Sequence, residues 1–161
     1  VTATATSTTK IMKDNFIRKI FSLMPEVELS GKSLDDVITM ASIIENEAKT
    51  KEDRFTVSAI LWRRLKMGLP LQVDATFSYI NGKTTEELTL DDLKIDSPYN
   101  TYLYKGLPPT PISNPGLESI EAALRYPTTT PYLYFLTGDD GKMYYSKTFD
   151  EHVIKKQRYI N

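Results

Sequence analysis

Residues 33–47 read SLDDVITMASIIENE, the most strongly patterned stretch of the chain. Ser33, followed three residues later by Asp36, is a helix-start signal because such side chains accept hydrogen bonds from the first turn. The apolar residues then recur at the spacing of one helix face, which predicts a long helix with one buried side. These residues are Leu34, Val37, Ile38, Ala41, Ile44 and Ala48.

Similar signals on either side of this helix predict the other elements. Helical spacing predicts four more helices, and an aromatic run followed by turn residues predicts a β-hairpin. The predicted helices cover residues 11–25, 50–68, 114–127 and 148–160, and the strands cover 132–136 and 143–145. The sequence therefore predicts an α+β fold that is rich in helix and has one small antiparallel sheet.

The length of 161 residues suits a single domain with one hydrophobic core. Residues 1–10 are mostly small and polar, which predicts a linker or disordered end. Residues 11–161 are predicted to form the domain, with 11–32 as its leading helix and connection. Because the chain begins at Val1 rather than at Met, we expect it to be part of a longer protein.

Composition excludes several classes of protein. The 20 Lys and Arg against 21 Asp and Glu lack the basic excess that nucleic acids and anionic membranes attract. The longest nearly uninterrupted apolar run, residues 37–44, is far shorter than the roughly 20 residues of a membrane span. With no cysteine and one histidine, the chain has no disulfide, no thiolate nucleophile and little capacity for a zinc site.

Two carboxylates close the predicted helix, Glu45 and Glu47. Helical projection places Glu45 within the apolar stripe and Glu47 on its flank, near a helix end whose dipole disfavours negative charge. Desolvation and the dipole both favour the neutral acid, which is the form a glycosidase-type general acid needs. The structural alternative is an ion pair between one Glu and Arg54, Arg63 or Arg64 on the next helix. By projection alone, Glu45 is the more buried group.

Further candidates lie in irregular chain. Asp74, in LQVDAT, is either a second carboxylate of a hydrolase or simply the N-cap of a short helix. Residues 97–116 hold five of the nine prolines, which predicts a long irregular loop of the kind that carries function. In this 97–116 loop Tyr99, Asn100 and Tyr102 offer the flat faces and polar groups that sugars bind, unless they only cover the core.

Six blocks of sequence carry a family resemblance in order and spacing: ASIIENE, RRL, LQVDAT, SPYNTY, GLPPTPISNPG and PYLYF. From about Ile11 to the C-terminus the chain resembles the catalytic domain of the YceG-like endolytic murein transglycosylases. That family cleaves the β-1,4 bond between N-acetylmuramic acid and N-acetylglucosamine in nascent glycan strands and leaves 1,6-anhydro-muramyl ends. The resemblance therefore implies a lytic transglycosylase, with the Pro-rich loop contacting the substrate.

The resemblance also implies roles for particular residues. The family's catalytic glutamate corresponds to Glu47, which leaves Glu45 as a supporting residue. Substrate-binding residues are expected at Glu45, Gln72, Asp74, Tyr99, Asn100 and Tyr102. Arg63 or Arg64 is expected to face a carboxylate or a peptide stem. No metal and no organic cofactor are implied.

Location and partners are likewise implied by the family. Its members carry a single N-terminal membrane anchor and a LysM-like module before this domain, which lies on the extracytoplasmic face of the bacterial cell membrane. The expected partners are peptidoglycan strands and cell-wall synthases of the penicillin-binding class. Two other functions stay open at this point: a muramidase that uses water with Asp74 as second carboxylate, and a glycan-binding scaffold without activity.

Overall fold

The computed structural model describes residues 5–160 and contains seven α-helices, two single-turn 3-10 helices and two strands within that range. The helices are α1 Ala5–Phe21, α2 Met24–Ser30, α3 Leu34–Glu47, α4 Lys51–Lys66, α5 Ala75–Ile80, α6 Leu117–Leu124 and α7 Phe149–Tyr159. The strands are β1 Tyr134–Thr137 and β2 Met143–Ser146. The predicted α+β class is confirmed. The chain divides into two units, Val1–Leu34 and Asp35–Asn161.

The first unit differs from its prediction at both ends. Helix α1 begins at Ala5, inside the segment predicted as a linker, while residues 1–4 lie outside the described residues. Extending an existing helix upstream costs far less than nucleating a new one, so weak local preference is enough there. Pro25, predicted to end a helix, instead lies in the first turn of α2, where its missing N–H costs nothing.

The core of the second unit is built on α3, whose residues Met40, Ala41, Ile43 and Ile44 are all 0% exposed. Both ends of this helix agree with the sequence prediction. Helix α4 follows and is capped by Thr50, whose hydroxyl accepts a hydrogen bond from the Asp53 N–H at 3.1 Å. Helix α6 packs on α4, and the indole N–H of Trp62 donates to the Ala123 carbonyl at 3.0 Å.

The predicted hairpin is present and lies against α7. Strands β1 and β2 are antiparallel with Phe135 opposite Tyr145. Helix α7 packs on both strands, and the rings of Tyr144 and Tyr159 stack at 3.7 Å between centroids. Gly138 starts the turn; an added Cβ there would lie 2.9 Å from a Tyr144 ring carbon, so a side chain would displace this packing.

Residues 81–116 connect α5 to α6 with no element longer than the two 3-10 turns, as the prolines predict. The loop is nevertheless fixed to the helices by polar contacts. The Ile112 N–H donates to the Ser42 hydroxyl of α3 at 3.0 Å, and the Gln72 N–H donates to the Thr101 carbonyl at 3.0 Å. The 97–116 loop thus lies beside the end of α3. None of the described helices is long and apolar enough to cross a membrane.

Candidate active site

The end of α3 holds a carboxylic acid whose proton affinity is strongly altered. Desolvation by the surrounding protein and, to a smaller extent, the nearby charge of Asp74 raise the pKa of the Glu47 carboxyl to about 7. One hydrogen bond acts against this shift, because the Ala75 N–H donates to Glu47 Oε1 at 3.2 Å. Glu47 as a residue stays partly exposed. It can therefore hold a proton near neutral pH and still meet a ligand.

Asp74 lies at the N-cap position of α5 but does not cap that helix with its side chain. Its Oδ1 accepts a hydrogen bond from the Tyr102 hydroxyl at 2.5 Å instead. Burial and then the charge of Asp74 raise the pKa of Tyr102, so this phenol remains a donor. The Tyr102 ring also packs on the buried Phe77, with centroids 6.0 Å apart. Glu47, Asp74 and Tyr102 together are called the Glu47 site below.

A buried arginine supports the backbone beneath this site. Arg64 is only 6% exposed, and it donates to the carbonyls of Pro70 and Leu133, each at 3.0 Å, and to Gln72 Oε1 at 2.5 Å. Gln72 is itself exposed and has a φ of 52°, the left-handed region that non-glycine residues rarely adopt. The guanidinium of Arg64 therefore stabilises the strained backbone of Gln72, two residues before Asp74.

The ion pair expected between α3 and an arginine of α4 is made by Arg54, whereas Arg63 and Arg64 donate to carbonyl and amide oxygens of the described residues. Arg63 donates to the carbonyls of Thr130 and Tyr132 at 2.8 and 3.2 Å, and Arg64 donates to the groups just described. Arg54 is the arginine that faces a glutamate of α3. Its Nη2 lies 3.7 Å from Glu45 Oε1, and its Nη1 bonds Glu118.

Glu45 faces away from Ala75 and toward α6. Its Oε2 accepts hydrogen bonds from the Gly116 N–H at 3.0 Å and the Ser119 hydroxyl at 2.6 Å. Although burial opposes it, these bonds and Arg54 lower the pKa of Glu45. Helical projection favoured Glu45 as the buried group, but its side chain is 30% exposed and its pKa is lowered, whereas the pKa of Glu47 is raised by burial. A projection describes a single helix and omits the residues that the rest of the fold packs against each carboxyl.

Asn100 and Tyr99 take different positions in the 97–116 loop. Asn100 is 0% exposed; its amide donates to the carbonyls of Leu93 and Ile95 at 3.0 and 2.9 Å, and its oxygen accepts from the Tyr102 N–H. It therefore positions Tyr102 rather than meeting a ligand, contrary to the expectation of a substrate contact. Tyr99 is partly exposed, and its hydroxyl bonds the Thr110 hydroxyl at 2.7 Å.

Sequence reasoning missed several supporting residues. Thr101 fixes the backbone just before Asp74, because its hydroxyl accepts a hydrogen bond from the Val73 N–H at 3.1 Å. Ser119 binds Glu45, and Tyr79 packs its ring on Tyr99. Single hydroxyls carry no periodic signal, so only the assembled fold reveals these contacts. Within residues 5–160, no three histidine or acidic side chains converge as metal ligands would.

The second unit is thus a helix-rich α+β domain whose site is one desolvated carboxylic acid with an aspartate and a tyrosine beside it. The sequence matches the YceG-like family over residues 1–158, and the chain belongs to that family. The match also includes the first ten residues, which lie outside the resemblance noted from the motifs.

Named relatives agree with this assignment. The chain is 45% identical over 136 residues to an endolytic murein transglycosylase of Bacillus subtilis and 32% identical over 141 residues to one of Streptococcus pneumoniae. Each match covers 84% of this chain, but only 38% and 25% of the respective relative. A crystal structure of a YceG-like protein from Listeria monocytogenes superimposes with a TM-score of 0.85 at 39% identity. That match covers 94% of this chain and 49% of the other.

Proposed function

We propose that this domain is an endolytic murein transglycosylase that cleaves glycan strands between N-acetylmuramic acid and N-acetylglucosamine. The observation that carries the proposal is the geometry at Glu47: a partly exposed carboxyl with a raised pKa that accepts from the Ala75 N–H at 3.2 Å, next to the hydrogen-bonded pair of Asp74 and Tyr102. Membership of the YceG-like family and two relatives named for this activity support it.

The mechanism uses Glu47 first as acid and then as base. Glu47 gives its proton to the glycosidic oxygen while the C1–O bond breaks and the muramic acid ring gains oxocarbenium character. The ionised Glu47 then takes the proton of the 6-hydroxyl of the same sugar, while the oxygen of that hydroxyl bonds to C1. The product is a 1,6-anhydro ring, and Glu47 ends protonated. Because the nucleophile is already on the substrate, its high effective concentration replaces an activated water.

The neighbouring residues support this cycle in different ways. Asp74 helps to keep Glu47 protonated, and its negative charge also favours a cationic sugar ring. Tyr102 holds Asp74 in place, while Gln72, Asp74, Tyr99 and Tyr102 line the path of the glycan strand. Glu45 and Asn100 act through their neighbours: Glu45 fixes the end of α3 to α6, and Asn100 fixes Tyr102.

Mass spectrometry of the muropeptides released from intact sacculi tests the reaction. We expect 1,6-anhydro-muramyl ends from this chain. Reducing muramic acid ends, one water heavier, would establish a muramidase with Asp74 as its second carboxylate and would contradict the proposal.

Paired variants test the residue. Glu47→Gln keeps the acceptor for the Ala75 N–H but has no proton to donate, so cleavage should fall by at least about 100-fold. Glu45→Gln is the matched control, the same change two residues away on the same helix, and it should retain far more activity. An active Glu47→Gln, or a chain that binds glycan but never cleaves it, would refute the assignment.

Location and partners form part of the same proposal. Murein lies outside the cytoplasmic membrane, so the domain acts on the extracytoplasmic face. We place it there on a single-pass membrane anchor in the full-length protein, beside the synthases that supply nascent strands. Fluorescent fusions of the full-length protein, with crosslinking to penicillin-binding proteins, test both points. Fluorescence of the fusion protein in the cytoplasm would contradict the proposed location.

A further inference from the structure

Two tyrosines that contact each other lie near the Glu47 site. The rings of Tyr79 and Tyr99, called the tyrosine pair below, have centroids 4.6 Å apart and planes tilted by 40°. Tyr79 lies in the last turn of α5 and is 50% exposed, although Thr76 and Phe77 of the same helix are fully buried. Tyr99 is partly exposed. The pair therefore presents aromatic surface to solvent.

The position of the pair relative to Glu47 follows from α5. The Ala75 N–H bonds Glu47, and Tyr79 comes four residues after Ala75. Four residues advance about 6 Å along a helix axis, so Tyr79 lies about one turn beyond the end of α5 that Glu47 contacts. Residues 99–102 of the 97–116 loop run antiparallel to α5, because Tyr99 contacts Tyr79 at the end of this helix and Tyr102 contacts Asp74 at its start.

The chemistry of the pair fits a sugar. A pyranose ring offers an apolar C–H face together with hydroxyls, and a tyrosine ring offers a flat apolar face with a polar tip. Tyr99 is held in place before any ligand arrives, because its hydroxyl bonds Thr110 at 2.7 Å, and the ring of Tyr79 packs on that fixed ring. A preformed platform loses little side-chain entropy on binding.

We propose that the tyrosine pair is a subsite for a hexosamine unit of the glycan strand, adjacent to the sugars whose bond is cleaved, with Tyr79 as its main contact. This inference rests on the proposed function, which supplies the strand. It adds a binding role for Tyr79 and a reason why the 97–116 loop runs along α5.

Binding in an inactive background tests the subsite separately from the reaction. The probe is peptide-free murein glycan strands, and every protein carries Glu47→Gln so that strands stay intact. We expect Tyr79→Ala to weaken binding about tenfold, and Tyr79→Phe to keep most of the affinity because it keeps the ring. The matched control is Phe149→Ala, which removes a ring that is 60% exposed and packs on Tyr134 at 5.9 Å, on α7. That control should bind like its parent.

Kinetics with active enzyme provide the second readout. Tyr79→Ala should raise KM for long strands and leave kcat nearly unchanged, because the ring does not touch the reacting atoms. Equal affinity and equal KM for Tyr79→Ala and its parent would overturn the subsite. If Tyr79→Ala does not fold, Tyr79→Leu takes its place, since it keeps apolar cover over Tyr99 but no flat face. Products with reducing ends would refute the transglycosylase, whereas the binding comparison would still decide the subsite.

Discussion

Glu45 and Glu47 show how two identical side chains, two residues apart on α3, acquire opposite acidities. Glu45 accepts two hydrogen bonds and faces Arg54, so its charged form is favoured and its pKa is lowered. Glu47 has one N–H donor, loses its hydration and faces Asp74, so its pKa is raised to about 7. Such separation of neighbouring acidities is how a site obtains one proton donor among several carboxylates.

The raised pKa of Glu47 predicts a pH-dependent stability. The folded protein binds this proton more tightly than the unfolded chain, so the stabilisation is complete below pH 4.5 and is lost as pH rises through 7. Glu47→Gln has no such loss. We expect the variant to be more stable than the parent at pH 8 by about 3 kcal/mol, and the difference to vanish near pH 4. Chemical denaturation at a series of pH values measures it.

Glu45→Gln is the control for this measurement. Because the folded pKa of Glu45 is lowered, its contribution is complete above pH 4.5 and is lost only as pH falls below that value. The difference in unfolding free energy between this variant and the parent should therefore be flat from pH 5 to 8. If the difference in unfolding free energy between Glu47→Gln and the parent were also constant from pH 5 to 8, the raised pKa of Glu47 would be contradicted.

The raised pKa of Glu47 also predicts how kcat/KM depends on pH above neutrality. If Glu47 must be protonated to start the reaction, kcat/KM should fall about tenfold per pH unit above pH 7. Asp74→Asn removes a negative charge that favours the proton on Glu47, so the fall should begin at lower pH. A profile that is unchanged by Asp74→Asn would show that Asp74 does not influence the proton donor.

At the scale of elements, the site is assembled from contacts between α3, α4, α5 and the 97–116 loop. Arg64 of α4 holds Pro70 and Gln72 before α5 and Leu133 before β1, while Thr101 of the loop holds Val73. None of these bonds reaches Glu47 directly. They fix the backbone from which Asp74 and Ala75 meet it, which is why an irregular segment can carry a defined geometry.

Substitution of Asn100 tests whether the 97–116 loop contributes to the site by fixing the position of Tyr102. Its side chain is fully buried and satisfies the carbonyls of Leu93 and Ile95. Asn100→Ala leaves both carbonyls unsatisfied and should lower the free energy of unfolding by about 2–3 kcal/mol, as seen in denaturant titrations. At a temperature where the variant is folded, we expect a lower kcat, because Tyr102 is no longer fixed. A large loss of glycan affinity with unchanged stability would instead make Asn100 a direct contact.

At the scale of the whole molecule, the chain spans 38% and 25% of the lengths of the two transglycosylases it matches. A catalytic domain alone meets an insoluble murein network only by diffusion, whereas attachment to a murein-binding module raises its effective concentration there. We expect this chain to release products from sacculi at least about tenfold more slowly than the same chain fused to such a module.

Soluble short strands are the control for that comparison, since attachment gives no advantage on them and the two proteins should have equal rates. Glu47→Gln in the fused form should release nothing from sacculi. Equal rates of the free and fused chains on intact sacculi would contradict the expectation.

Much of this molecule is determined by local sequence. Ser33 with Asp36, Thr50 with Asp53 and the apolar spacing between them predict the starts and ends of α3 and α4, because capping and amphipathic burial act within a few residues. The prolines of residues 97–116 predict an irregular loop for the same reason. Pro25 begins α2 instead of ending α1, because a proline can end one helix or begin the next, and residues 5–10 join α1 because lengthening a formed helix costs little.

The chemistry of the site was decided only by the tertiary structure. The spacing of Glu45 and Glu47 along α3 does not tell which carboxyl has the raised pKa, and helical projection favoured Glu45 as the more buried group. What separates them is distant in sequence: hydrogen bonds from Ser119 and Gly116 lower the pKa of Glu45, whereas burial and the charge of Asp74 raise that of Glu47. A pKa depends on every charge, donor and water within a few ångströms, and those neighbours exist only once the chain has folded.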